Sequence, residues 1–261
     1  MSKEYEKIAT YMSSNQLVLN DEKTHLMVFC NKTNKDKREE VYLKAGKHTI
    51  KPSATQKLLG ANICQSLKWR EHVIDNKSSL LNQLNSRING LTLVSRQTSF
   101  KTRLMVANGV YMSKLSNLIQ VWGGTQDYVL KALQVTQNKA AKYVTGLSWF
   151  TPTRTLLKQC GWLSVRQLVF YHTVLSVHKT VIGGKPKYAR DKLCQESSQH
   201  TRQQVKFSQK ISGKSERSQT SFFYRGALDY NRLPVDLKNI DSLQTFKRKL
   251  KVWIRSQIAV V

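Results

Sequence analysis

Three kinds of side chain in this sequence could do chemistry: carboxylates, thiols with imidazoles, and cations. Two carboxylates held side by side can position a pair of metal ions about 4 Å apart, which activate a hydroxyl and stabilise phosphoryl transfer. No Asp-Asp pair occurs; Asp21, Asp36, Asp75, Asp127, Asp191, Asp229, Asp236 and Asp241 are each isolated. The four cysteines, Cys30, Cys64, Cys160 and Cys194, are widely spaced, with no Cys-x-x-Cys pair and no zinc-finger spacing to a histidine. They read as reduced thiols of an intracellular protein, with nucleus and cytoplasm both open. His172 and His178 lie in an apolar helical stretch, where a satisfied structural role outweighs metal ligation. No cofactor is expected from these residues.

Cations are what the sequence has in excess. There are 43 Lys+Arg against 16 Asp+Glu among 261 residues, a formal net charge of +27 at pH 7. Residues 91–190 carry 14 Lys or Arg and a single acid, Asp127, in a region whose periodicity is that of folded helices. A solvated helical face normally mixes both signs. An unmixed one points to a polyanionic partner, and a phosphate backbone is the reading preferred over a merely soluble basic surface. The N-terminus is charged and has no apolar run like that of a signal peptide. No stretch of about 20 apolar residues exists, so no membrane partner is expected.

The elements that must position these cations follow from periodicity. Residues 3–14 read as a helix, and 24–30, 41–50 and 55–64 as three strands of a small antiparallel sheet, with Pro52-Ser53 as a turn. Residues 31–40 are polar and read as a loop. From residue 70 the period becomes helical. Val73, Lys77, Leu80, Leu84, Ile88 and Leu91 predict one amphipathic helix, and Leu104 to Trp122 a second stopped by Gly123-Gly124. Leu130 to Val144 predict a third, closed by Gly146, and Val165 to Ile182 a fourth after a Ser164 cap. A last helix starts near Asp241-Ser242. Residues 191–221, rich in Ser, Gln and Lys, read as a linker. The expected fold class is α+β, mostly α. It divides into a sheet region 1–66, a helical region 67–190, the linker 191–221 and a C-terminal helical segment 222–261.

Two segments carry a resemblance. Tyr11 to Phe29 holds Asn15, Leu17, Leu19, Asn20, Lys23 and Thr24, and a second stretch holds Leu59, Gly60, Ile63, Leu67, Trp69 and His72. Together they resemble the rear of the palm in reverse transcriptases of non-LTR (LINE-type) retrotransposons. Tyr11 stands where that family usually has Trp, and Cys64 where an acid is common. Further on, Tyr111 to Gly124, Leu133-Gln-Val-Thr-Gln-Asn-Lys139, Gly161-Trp-Leu163, Pro186-x-Tyr188, Asn231-Arg-Leu-Pro234 and Phe246-Lys247 follow in the family's order.

The resemblance implies a palm remnant, a thumb and a helical extension of an RNA-directed DNA polymerase. The aromatic-x-Asp-Asp hairpin that binds the catalytic metals would lie upstream of Met1. No polymerase activity is therefore expected from this chain alone, and Mg2+ belongs only to an intact polymerase. Lys23 matches a lysine near the pyrophosphate leaving group, where an ammonium can neutralise charge; the plain alternative is a surface lysine in a turn. Leu59 and Gly60 match the primer grip, with a β-bulge glycine as the alternative. The thumb-like region implies binding of RNA or an RNA–DNA hybrid without sequence choice, through Lys101, Arg103, Lys139, Lys142, Arg154, Lys247, Arg248 and Lys251. Trp149, in a loop beside Phe150, is the tryptophan singled out for stacking on bases. A polypeptide bringing the missing palm and fingers is a second implied partner. The competing reading is a non-catalytic basic helical nucleic-acid-binding or interaction protein.

Overall fold

A computed structural model of the chain describes residues 2–30, 40–45, 48–94, 98–193 and 216–257. The loop expected over 31–40 therefore lies, but for Glu40, outside the described residues, as do 194–215 of the expected linker. At the edges of that linker the chain is helical, through Leu193 and again from Glu216. The fold class is the expected one, α+β and mostly α. The chain divides into two compact units, Met1–Asn76 and Lys77–Val261.

The first unit begins with helix α1 (Ser2–Ser14) and a single 3₁₀ turn, Asp21–Lys23. The strand expected over 24–30 does not form. Leu26 makes one isolated parallel bridge, to Pro52. Proline has no N–H, so the ladder cannot grow past it. Each of the next two expected strands is instead a hairpin. β1 (Leu43–Ala45) pairs antiparallel with β2 (His48–Ile50), and β3 (Thr55–Leu58) with β4 (Ala61–Cys64). The three-stranded sheet is thus two separate two-stranded ones. A π-helical turn, Glu71–Asp75, packs on β4, where the Asn62 N–H donates to His72 Nδ1 at 3.2 Å. Asn76 is extended and ends the turn, so the helix expected from Val73 to Leu91 starts only at Leu80.

The second unit is helical. α2 (Leu80–Val94) buries Leu80, Leu84, Ile88 and Leu91 on one stripe. α3 (Phe100–Ala107) starts at a Ser99 cap and continues through a π-helical turn, Asn108–Met112, into α4 (Ser113–Ser116). Leu118, at φ 52°, breaks the path before α5 (Ile119–Trp122). The single helix expected from Leu104 to Trp122 is therefore two pieces. α6 (Asp127–Thr145) ends at Gly146 in the left-handed region, as its sequence predicts. α7 (Thr153–Cys160), which the sequence reading missed, follows Pro152 and stops at Gly161.

α8 (Val165–Gly183) is the axis of this unit. Ser164 caps it in a capping box with Gln167. Its buried residues, from Val165 to Thr180, lie on nearly every side, as expected of a helix wrapped by neighbours. α5, α6, α9 (Lys187–Leu193), α11 (Phe222–Asn231) and α13 (Leu243–Ser256) all pack on it. Short helices α10 (Glu216–Gln219) and α12 (Val235–Lys238) precede and follow α11. Of the C-terminal segment expected over 222–261, the described residues 222–257 thus share the core of the helical region. Among the described residues no helix is long and apolar enough to cross a membrane.

Candidate nucleic-acid interface

The Gln-x-x-Gln-Asn run on α6 sets the local geometry. Gln134 Nε2 donates to Gln137 Oε1 and Asn138 Oδ1, both at 2.9 Å, and its Oε1 accepts from the Val165 N–H that opens α8. Gln137, fully buried, donates to the Leu163 carbonyl at 2.9 Å. Asn138 donates to Thr153 Oγ1 at 2.8 Å and so fixes the start of α7. These amides, Gln137 buried and Gln134 and Asn138 half-buried, are all partnered, which makes the network a rigid joint between three helices. The residues next to the Asn138–Thr153 bond are Lys139 and Arg154, both exposed.

One turn further along α6, Lys142 reaches the loop before α7. Its Nζ donates to the Trp149 carbonyl at 2.7 Å and stands 4.7 Å from the centre of the Trp149 ring. Trp149 is 70% exposed and Phe150 96% exposed. A cation over one face of an aromatic ring, with the ring itself open to solvent, is a platform on which a base can stack. Lys139, Lys142, Trp149, Phe150 and Arg154 are therefore brought together around the α6–α7 connection. The single acid of this region, Asp127, sits at the other end of α6, where Arg166 and Lys131 pair with it.

Arg103 has a different job. Its Nε donates to the Val144 carbonyl at 3.0 Å and its guanidinium also to Thr98, so it caps the C-terminal end of α6. Arg255 does the same for α7 through the Gly161 carbonyl at 2.6 Å. Arg87 and Arg225 likewise donate to main-chain carbonyls. Guanidinium forks suit such ties better than ammonium groups. Of the cations expected to bind nucleic acid, Lys101, Lys139, Arg154, Lys247, Arg248 and Lys251 have no hydrogen-bond or ion-pair partner among the described residues, and the Lys142 ammonium, bonded to one carbonyl, keeps two further N–H groups for an external anion.

A second basic cluster lies between α8 and α13. Lys247 and Lys251, one turn apart, line a cavity of about 580 Å³ together with Asn108, Trp162, Tyr171 and His172. Lys251 Nζ is 5.4 Å from the Tyr171 ring centre. Burial first, then the charges of Lys251, Lys179 and Lys247, pull the His172 imidazole down to about 4. Cys160 also lines the cavity, but burial pushes its thiol up to about 11, which leaves it protonated and unreactive at neutral pH. Arg248 is exposed on a different side of α13.

The two residue sets in the first unit keep their own places. Lys23 closes the 3₁₀ turn and donates its N–H to Asn20 Oδ1 at 3.0 Å, while Thr24 Oγ1 donates to the Asn20 carbonyl at 2.9 Å. The Asn-x-x-Lys-Thr run is thus a self-capped turn with an exposed ammonium. Leu59 and Gly60 form the two-residue tip of the β3–β4 hairpin, at φ 50° and 88°. Positive φ at both central positions is the type I′ pattern, so the glycine belongs to a turn and not to a bulge. Leu59 is 83% exposed there. A leucine in the left-handed region, with its side chain in water, is a local strain that Asn would relieve. Leu59→Asn should stabilise the hairpin by about 0.5–1 kcal/mol. Stronger hydrogen-exchange protection of the β3 and β4 amides in the full chain would show it, and unchanged protection would refute the strain.

Among the described residues, no group of three or more His, Cys, Asp or Glu is placed to hold a metal ion. Comparison with protein-family models, with curated proteins and with solved structures found no match to this chain.

Proposed function

We propose that this chain binds RNA or an RNA–DNA hybrid through its helical unit, without sequence selectivity, as a thumb-like, non-catalytic part of a LINE-type reverse transcriptase. The observation that carries the proposal is the solvent-open Trp149–Phe150 pair set among Lys139, Lys142 and Arg154. Exposed aromatics of this size on a water-facing loop contribute nothing to the core, and no Asp or Glu occurs between Tyr128 and Arg190. Cations that meet phosphates give affinity, and a ring that meets a base gives stacking without hydrogen-bond readout. The order of family-like motifs along the sequence supports the assignment to that polymerase class. Under this reading Lys23 acts near the leaving group, and the Leu59-Gly60 tip contacts the primer, only when a palm carrying the metal-binding carboxylates is present.

Trp149→Ala tests the site directly. Loss of one stacked base is worth about 1–3 kcal/mol. Affinity for a single-stranded RNA should therefore fall roughly five- to 150-fold, while affinity for a smooth duplex changes much less. Equal affinities of variant and parent for single strands, measured by fluorescence anisotropy, would remove the stacking role.

A further inference from the structure

The side chains that line the cavity between α8 and α13 include two ammonium groups and no carboxylate. Lys247 and Lys251 enter from α13 with no carboxylate partner among the described residues, and no Asp or Glu lines the space. Asn108 Oδ1 accepts from Trp162 Nε1 at 2.8 Å, which turns the amide so that its Nδ2, with no partner among the described residues, is left to donate. His172, half-buried, has no hydrogen bond among the described residues. Its neighbour six positions on, His178, has both nitrogens bonded. A half-buried imidazole beside two ammonium groups can donate its N–H to an anion held there.

Apart from Ser116, Gly161 and Cys160, the remaining walls are apolar, including the Tyr171 ring under Lys251 and Trp162 stacked on Tyr111 at 6.4 Å. A volume of about 580 Å³ lies within the range of small-molecule sites, roughly 300–1,000 Å³. It is larger than an inorganic phosphate needs, and Tyr171 and Trp162 line it.

We infer that this cavity binds a nucleoside phosphate, its phosphate against Lys247 and Lys251 and its base along the Tyr171–Trp162 side. The choice of ligand rests on the nucleic-acid reading given above. Two sources present the same chemistry: a free nucleotide and the phosphorylated end of a strand. Asn108 Nδ2 and a His172 nitrogen face the same ligand and add polar recognition. The Trp149 platform is a separate site, built on the α6–α7 connection.

Calorimetric titration of the full chain with adenosine 5′-monophosphate, adenosine and a 5′-phosphorylated trinucleotide at physiological salt tests the inference. The monophosphate should bind and adenosine should bind at least about tenfold more weakly, the worth of one charge-assisted hydrogen bond. Lys247→Gln with Lys251→Gln should weaken the monophosphate by a further tenfold or more, and Trp149→Ala should leave it unchanged. Competition by the phosphorylated trinucleotide, but not by its 5′-hydroxyl form, identifies a strand end; its failure to compete identifies a free nucleotide. Adenosine binding as well as its monophosphate, or the double variant binding as the parent, overturns the site. Should the double variant not fold, the His172 Cε1–H resonance of the parent decides: it moves on addition of monophosphate if the site is correct and stays if it is not. Loss of RNA binding with nucleotide binding retained would refute the proposed function and leave this cavity standing, and the converse would refute only the cavity.

Discussion

Raising the salt from about 50 mM to about 200 mM is expected to weaken the complex of this chain with an RNA–DNA hybrid by roughly a thousandfold, the loss typical of proteins that meet six or more phosphates. The cations available for this are Lys101, Lys139, Lys142, Arg154, Lys247, Arg248 and Lys251. Each releases a condensed counterion when it replaces solvent at a phosphate, so each adds just under one unit to the slope of log K against log salt. Lys139→Ala, Lys142→Ala and Arg154→Ala together should lower that slope by about two to three units. Arg103→Ala should act otherwise. Its guanidinium is held by Val144 and Thr98, so its loss frees the end of α6 and shows as reduced stability with little change in slope. A slope near zero for the parent chain, or a triple variant with the parent's slope, would sink the proposal.

Where a single local signal decided an element, the sequence was sufficient. Gly146 after α6, Ser164 with Gln167 before α8 and Ser242 before α13 each do locally what their residue types imply. The errors came from patterns that two structures share. Residues 55–64 have the length of one strand, yet Leu59-Gly60 fold them into a hairpin, and the usual Asn-Gly signature of that turn is missing. Leu118 breaks the helix by entering the left-handed region, where leucine has no local reason to go. It is held there by what surrounds it, Trp122 being fully buried with its Nε1 bonded to the Asn117 carbonyl. α7 had its signals, Pro152 and Gly161, but spans only two turns between them.

The candidate site divides along the same line. That Trp149 would be exposed follows from its place among Ser148, Phe150 and Pro152, with no apolar stripe to join. That Arg103 would cap α6 does not, because the carbonyl it meets is distant in sequence. The apolar stretch around them gives His172 and His178 the same expected role, that of satisfied structural residues. Six positions on a helix are about 240° apart around its axis, so the two could not share one environment. One faces the core and is bonded; the other faces the cavity.

His178→Ala is expected to destabilise the chain by about 3–5 kcal/mol, the cost of deleting a large buried ring together with its hydrogen bonds. His178 is fully buried and stacks on Phe246 of α13, ring centres 3.5 Å apart. Its Nε2 lies 2.9 Å from the Ile240 carbonyl, which can only accept, so Nε2 carries the proton. Nδ1 then accepts from the Tyr230 hydroxyl of α11 at 3.0 Å. One neutral ring thus ties α8 to α11 and to the chain entering α13. Burial holds its proton affinity below the ordinary value of 6.5, with the Ile240 bond and Asp241 opposing. The unfolded chain therefore binds the proton more readily, and the stability is fully present above about pH 6.5 and is lost as pH falls. Tyr230→Phe removes one bond and leaves Nδ1 unpartnered, for about 1–3 kcal/mol. Urea unfolding of the two variants at neutral pH and near pH 5 checks both points. A His178→Ala cost under about 1 kcal/mol, or one that does not shrink on acidification, would show that α11 and α13 hold to α8 without this ring.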